Sequence, residues 1–386
     1  MKKLLSLLFK AAFCIAALAI GVYIANTVID KVDPWKDKVP EKITDIGSPY
    51  KFYYDNLTDM EKHAYNEIIT NIYSMPEKIR IPTLDKDGID NVFSAILADN
   101  PDLFFVGRKC YLISQGIYTY CSVEYYIDSE AYPENKKKLD EVCSEIMESL
   151  SDPDDEFQTE LEIHDFIVKN CVYRLEKDEF VFSSAYGALV NGEAGCEGYS
   201  KATKLLLDMA GIESSVVSGT STDADNNTSS HMWNAVNING DFYHLDCTWD
   251  DPVSDDGKEI LTYTYFNLSD EMIADTHSDF SYDFGCDATA ENYFIKKKSY
   301  FESYGRSDES KLVGIISDVL NGGSREVHLC FADKDAYDDA VSELIDSGRI
   351  YKVLRNVKKK TKVKMSTDSL SCFPDPERRI LTLIIE

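Results

Sequence analysis

Asn239-Gly240 constrains this chain more than any other dipeptide in it, because it stands between two alternating runs, His231 to Ile238 and Asp241 to Trp249. The central residues of a tight hairpin need positive φ, which Asn and Gly accept most readily. With this pair as the turn, Ile238 faces Asp241, Asp246 faces Trp233 and His231 faces Thr248. Facing and alternate residues share one face of a sheet, so His231 and Asp246 become diagonal neighbours on one face. A carboxylate in that position can fix the tautomer of an imidazole and stabilise its protonated form.

A nucleophile for such a pair stands at Cys196. The string Gly195-Cys196-Glu197-Gly198-Tyr199-Ser200 opens a helical pattern carried by Ala202, Leu205, Leu206, Met209 and Ala210, and Gly211 is a suitable stop. Cys196 is therefore expected at a helix N-terminus, where unpaired N–H groups and the positive dipole end favour a thiolate. The adjoining N–H groups are expected to form part of an oxyanion hole, with the flanking glycines letting a substrate carbonyl approach. The plain alternative is a buried structural cysteine, and only convergence with His231 and Asp246 argues against it.

The other histidines carry less. His244 shares the face of Asp246 and reads as a structural neighbour of the pair. His164 lies inside a helical pattern and reads as a packed histidine able to approach the site. His63, His277 and His328 have no convergent partners in the sequence.

The 386 residues are 44% hydrophobic and 28% charged, a globular composition long enough for two or three domains. The net charge of −28 repels phosphate backbones, so no nucleic-acid partner is expected. Lys2, Lys3 and Lys10 precede an uncharged run over residues 11–29, long enough to cross a bilayer as a helix. This reads as a single N-terminal anchor that leaves the rest outside, with a cleaved signal peptide as the rival. Cys14 follows the bulky Phe13, which argues against a lipid-modified cysteine.

None of the ten cysteines forms a Cys-x-x-Cys pair, so neither structural zinc nor any other metal or cofactor is expected. The acids Asp223, Asp225, Asp255 and Asp256 lack EF-hand spacing and read as flexible loops. Taking Gln115-Gly116 as a turn places Cys110 opposite Cys121. Facing Cα atoms lie about 4.5–5.5 Å apart, within disulfide range. The alternative is two buried free thiols.

Four segments follow: 1–30 as anchor or signal, 31–150 as a helical region with a hairpin, 151–300 as the core with Cys196, and 301–386 as a small α/β module. Thr58 and Glu61 form an expected capping box. Helices are expected near 89–97 and 133–150, and a loop over 183–195. The last segment reads as helix, strand over Val327 to Phe331, helix over Asp335 to Ile345, and strands over Ile350 to Leu354 and Ile380 to Ile385.

Several blocks occur in order: Tyr186-Gly187-Ala188-Leu189-Val190-Asn191-Gly192, Gly195-Cys196-Glu197-Gly198-Tyr199, His231-Met232-Trp233-Asn234, and Gly240 to Trp249 with Asp250-Asp251-Pro252 behind it. Over roughly residues 155–270 they resemble the transglutaminase-like superfamily core of bacterial surface proteins. Asp99 to Phe105 is similar to the N-terminal region of such proteins. The resemblance implies an α+β, papain-like core, in which the Cys-bearing helix packs on an antiparallel sheet. It implies Cys196 as nucleophile, His231 as general base and then acid, and Asp246 as orienter. No Gln precedes the cysteine as a second oxyanion donor, which leaves Tyr199 and Tyr186 as candidates and Trp233 as a wall of the acyl site.

The function this implies is acyl transfer from peptide or side-chain amides of a protein substrate through a thioester, completed by water or by an amine, at a bacterial cell surface. The main alternative is a non-catalytic surface binding module on the same scaffold. A redox pair of Cys196 with Cys247 is weaker, since Cys247 points to the face opposite Asp246.

Overall fold

The computed structural model describes residues 33–174, 179–252 and 261–386, together with Leu18. The apolar run expected to act as an anchor lies outside the described residues apart from Leu18, as do Asp255 and Asp256. Among the described residues no helix is long and apolar enough to cross a membrane. The chain divides into two compact units between Lys137 and Lys138.

In the first unit, helix α1 spans Asp59–Ile72 and strand β1 Ile79–Ile81. Helix α2 spans Lys86–Asp99, and strands β2 and β3 span Val106–Gln115 and Tyr118–Tyr125. Thr58 and Glu61 form the expected capping box, which fixes the start of α1. The Asp99 carboxylate accepts the N–H groups of Tyr53 and Tyr54 and the Tyr65 hydroxyl, so Asp99-Asn100-Pro101 is a buried anchor for the helices. β1, which the reading of 31–150 as a helical region with one hairpin did not include, pairs with β3 in the order β1-β3-β2.

The hairpin turns one residue later than expected. Gly116, at φ 62°, takes the first turn position, and Gln115 pairs with Tyr118. Cys110 therefore faces Val123, and Cys121 faces Leu112. The two cysteines are free thiols, hydrogen-bonded as diagonal neighbours, not a directly facing disulfide pair. A lone Gly favours the turn slot that needs positive φ, and here that is the first slot.

In the second unit, helix α3 (Tyr132–Ser149, which begins in the first) is followed by α4 at Glu156–Asn170. β4 is Val172–Tyr173, β5 Glu193–Ala194 and α5 Cys196–Met209. The expected loop over 183–195 is partly ordered as a turn of π-helix over Gly187–Asn191. β6 (Ser214–Thr222), β7 (Thr228–Ile238), β8 (Asp241–Leu245) and β9 (His277–Ser278) form an antiparallel sheet in the order β8-β7-β6-β9. Asn239 and Gly240 both have positive φ, and the register of β7 with β8 is the one the sequence implied, from Ile238 with Asp241 to Asn234 with Leu245. α5 packs on β6 and β7, which gives the α+β architecture of a Cys-bearing helix on an antiparallel sheet.

The C-terminal part carries β10 (Tyr300–Phe301), α6 (Glu309–Asn321), β11 (Glu326–Phe331), α7 (Lys334–Val341), α8 (Ile350–Lys360), β12 (Leu370–Asp375) and β13 (Ile380–Ile385). Its sheet runs β10-β11-β13-β12 over its own apolar core. Ile350 to Leu354, read as a strand, is the start of α8. Ile350, Val353, Leu354 and Val357 are its buried positions, at helical spacing, which overrides the β-branched composition.

Candidate active site

Cys196 is the first residue of α5, with Gly195 as N-cap, and is half-buried. At the other end, Gly211 has φ 78°. Its N–H reaches Asp208 O and that of Ile212 reaches Leu207 O, a Schellman stop. A Cβ on Gly195 would lie 2.1 Å from the Phe182 ring, and one on Gly198 2.6 Å from Ala194 Cβ. The close approach that demands these glycines is therefore made by the protein's own residues, where the sequence suggested a substrate carbonyl. The Asn234 amide on β7 donates to Ser200 O at 2.9 Å and Ser215 O at 3.3 Å, which ties the thiol's helix to the sheet.

β8 leaves the sheet after Leu245, so His231 has no strand partner at Thr248; its partner is Gly219 on β6. The chain turns at Asp246 instead, and the carboxylate swings under the imidazole. His231 Nε2 lies 2.7 Å from Asp246 Oδ2. Cys196 lies near enough to the same ring to raise its pKa. Asp246 Oδ1 accepts the N–H groups of Thr248 at 2.9 Å and Trp249 at 3.2 Å, so the side chain is pinned by its own turn. Both residues are buried.

Burial works against a charged imidazole here, but the Asp246 carboxylate and then Cys196 outweigh it and push the pKa of His231 up to about 10. Burial likewise opposes the carboxylate, yet His231 and His277 hold Asp246 well below the usual range. His277, on the short strand β9, reaches the same Oδ2 through Nε2 at 3.1 Å. Sequence reasoning missed it, because it comes from a two-residue strand beyond a long loop. Its own Nδ1 is 2.8 Å from Thr276 Oγ1.

Trp233, expected as a wall of the acyl site, is nearly inaccessible and stacks on His231 with ring centroids 5.9 Å apart. Trp249 closes another side, 5.8 Å from His231 and 4.8 Å from His277. Tyr199 does not serve as an oxyanion donor: its ring is buried and its hydroxyl donates to Asp251 Oδ2 at 2.6 Å. Tyr186 stacks on Phe180 as a packing residue. Tyr173 was not anticipated. It pairs with Ala194, two residues before the cysteine, and burial together with the nearby Cys196 and Asp246 raises its hydroxyl's pKa.

His244 accepts from Trp233 Nε1 at Nδ1 and faces Asp270 Oδ1 through Nε2 at 2.7 Å. It is second-layer support for Trp233, as its structural reading implied. His164 meets Asp250 at 3.2 Å, and Asp250 accepts Tyr265 N and the Thr262 hydroxyl, which clamps the turn after Asp246. Among the described residues, two groups bring three ligand-type atoms within 4.8 Å of one another: His231 with Asp246 and His277, and His244 with Asp270 and Cys286. In the second, the Trp233 N–H occupies His244 Nδ1, so the ring proton sits on Nε2, the atom a metal would need. Cys247, of the redox alternative, is buried against the Thr203 hydroxyl.

Residues 140–247 match the transglutaminase-like superfamily, a span that contains Cys196, His231 and Asp246. No curated protein matches the sequence. Among solved structures, a TGase is 16% identical, with 43% of this chain and 48% of that one covered at a TM-score of 0.26. A proposed cysteine protease from Cytophaga hutchinsonii is 13% identical, covering 40% and 65%, TM-score 0.25. A proposed protease from Parabacteroides distasonis is 13% identical, covering 40% and 40%, TM-score 0.24. The chain thus spans less than two thirds of each of these three, and superposition at this level is too loose to transfer a residue role.

Proposed function

We propose, from the premise that residues 140–247 form a transglutaminase-like superfamily domain, that this chain is a thiol acyl-transfer enzyme acting on peptide or side-chain amides. The observation that carries the reading is the convergence on one ring: His231 meets Asp246 at 2.7 Å through Nε2, and Cys196, at the start of α5, acts on the same imidazole. In the proposed cycle the Cys196 sulfur, its proton already held by His231, attacks the amide carbonyl carbon. His231 then gives that proton to the departing amine, which leaves a thioester. Water, or an amine in the cross-linking variant, attacks the thioester and gives a proton to His231. That proton returns to the sulfur as the acyl group leaves. The N–H groups at the start of α5 would hold the oxyanion, and Tyr173 is the hydroxyl best situated to join them.

Hydrolysis is the favoured outcome for an enzyme working alone at a surface. The apolar run at 11–29 supports placing it outside the cell membrane on a single anchor. The test is iodoacetamide alkylation across pH on residues 31–386, with the modified site mapped by mass spectrometry. Fast labelling at Cys196, slowed by His231→Ala, is expected. Labelling no faster than that of an ordinary thiol, and indifferent to His231→Ala, would reject the enzyme and favour a binding module.

A further inference from the structure

Asp246 is reached by more than its histidines. Thr276 Oγ1 is 2.8 Å from His277 Nδ1, and His277 Nε2 is 3.1 Å from Asp246 Oδ2. One direction of donation satisfies both links: Thr276 O–H donates to His277 Nδ1, and His277 Nε2–H to the carboxylate. Arg378, in the turn between β12 and β13, lies 3.0 Å from Asp375, and its charge acts on the Tyr265 phenol.

Arg378, Tyr265 and Thr276 also line a cavity of about 280 Å³. Cys196, His231 and Asp246 are not among its lining residues. Leu268, Phe294, Tyr300 and Phe331 give it an apolar wall. Arg379 borders it at φ 59°, with Nη1 on Ala332 O at 2.9 Å and a buried Nε–H that has no acceptor among the described residues. A buried guanidinium N–H without a partner marks the place of a missing acceptor, and a carboxylate is the acceptor whose shape and charge suit it best. The exposed carboxylates of Glu271, Asp275 and Glu377 on the same lining suit an ammonium group. Apolar wall, cation and acidic rim together describe one ligand chemistry.

We propose that this cavity binds a short peptide with a free C-terminal carboxylate and an apolar last side chain, and that its occupancy is transmitted to the Asp246–His231 pair through Thr276 and His277. The binding half stands independently; the transmission half rests on the acyl-transfer reading of the site.

The experiment uses the full chain and two probes, the dipeptide Ala-Phe and its C-terminal amide, by titration calorimetry. The acid is expected to bind at least about tenfold more tightly than the amide. Arg379→Asn, chosen because Asn tolerates positive φ, is expected to abolish that preference. Ala-Phe is also expected to change the rate of iodoacetamide labelling at Cys196 about fivefold in the wild type. It should not do so in Thr276→Val, which keeps the side chain's shape and removes the hydroxyl that reaches His277. Equal binding of acid and amide, no binding, or a preference that survives Arg379→Asn overturns the site. Preferential binding with an unchanged labelling rate overturns the transmission. Slow labelling that is indifferent to His231→Ala refutes the enzyme reading while leaving the binding result intact.

Discussion

His277 Nε2 stands 3.1 Å from Asp246 Oδ2, the oxygen that His231 Nε2 reaches at 2.7 Å. Two imidazoles thus share one carboxylate oxygen, and removing either changes the charge the other feels. His277→Leu is expected to slow thioester formation about tenfold or more, since a hydrogen bond to a charged group is worth about 1.5–3 kcal/mol. His277→Gln, which keeps a donor near Nε2, is expected to recover most of the loss. Single-turnover kinetics of the two variants check this, and equal rates would remove His277 from the account.

The elevated pKa of His231 sets a stability profile with a definite sign. Its folded value, about 10, lies above its ordinary value of 6.5. The stabilisation is fully present below the ordinary value and is lost as pH rises through the folded one. On the order of a few kcal/mol is at stake, and it is the same interaction that depresses Asp246, so it counts once. His164, pushed up to about 9 by Asp165 and Asp250 against the effect of burial, adds a second loss in the same window. Urea midpoints measured from pH 6 to 10 should fall in the wild type and fall less in His231→Gln.

Gly195 has no room for a methyl group against Phe182. Gly195→Ala is expected to cost about 1–3 kcal/mol through overpacking and to displace the thiol. Combining it with Phe182→Leu should recover part of the stability, and the coupling in a double-mutant cycle measures the clash. Additive effects would mean that the glycine acts through its backbone alone.

Asn234→Ala leaves Ser200 O and Ser215 O without their amide donor. A loss of about 1–3 kcal/mol is expected from the two lost hydrogen bonds, at about 0.5–1.5 kcal/mol each, read in chemical denaturation, with slower labelling at Cys196 because the helix is no longer tied to β7.

Tyr173→Phe tests the hydroxyl beside the cysteine. Loss of an oxyanion donor costs about 10²–10³-fold in kcat at most, with KM little changed. A change confined to KM would make Tyr173 a substrate-binding residue.

Much of this site was legible because its information is local. Asn239-Gly240 fixed the register of β7 with β8, and the register put His231 and Asp246 on one face. The helix start at Cys196 and its stop at Gly211 were equally local. The parts that were not legible depend on distance or on competing signals. His277 arrives from beyond the loop after Asp246, and no periodicity announces a two-residue strand. The Gln115-Gly116 turn slipped because one glycine serves either slot of a hairpin. Ile350 to Leu354 has strand composition but helical spacing, and spacing prevailed once its apolar side met the C-terminal core.

The four attachments of Asp246, two from its own turn and two from imidazoles, do not involve the sulfur. The orienting half of the site is therefore assembled without reference to residue 196. A lineage that exchanged Cys196 for serine or alanine would keep its hairpin, its aromatic walls and its buried carboxylate. In such a lineage the architecture would outlive the reaction, and intact surroundings alone would say nothing about whether a given descendant still turns over.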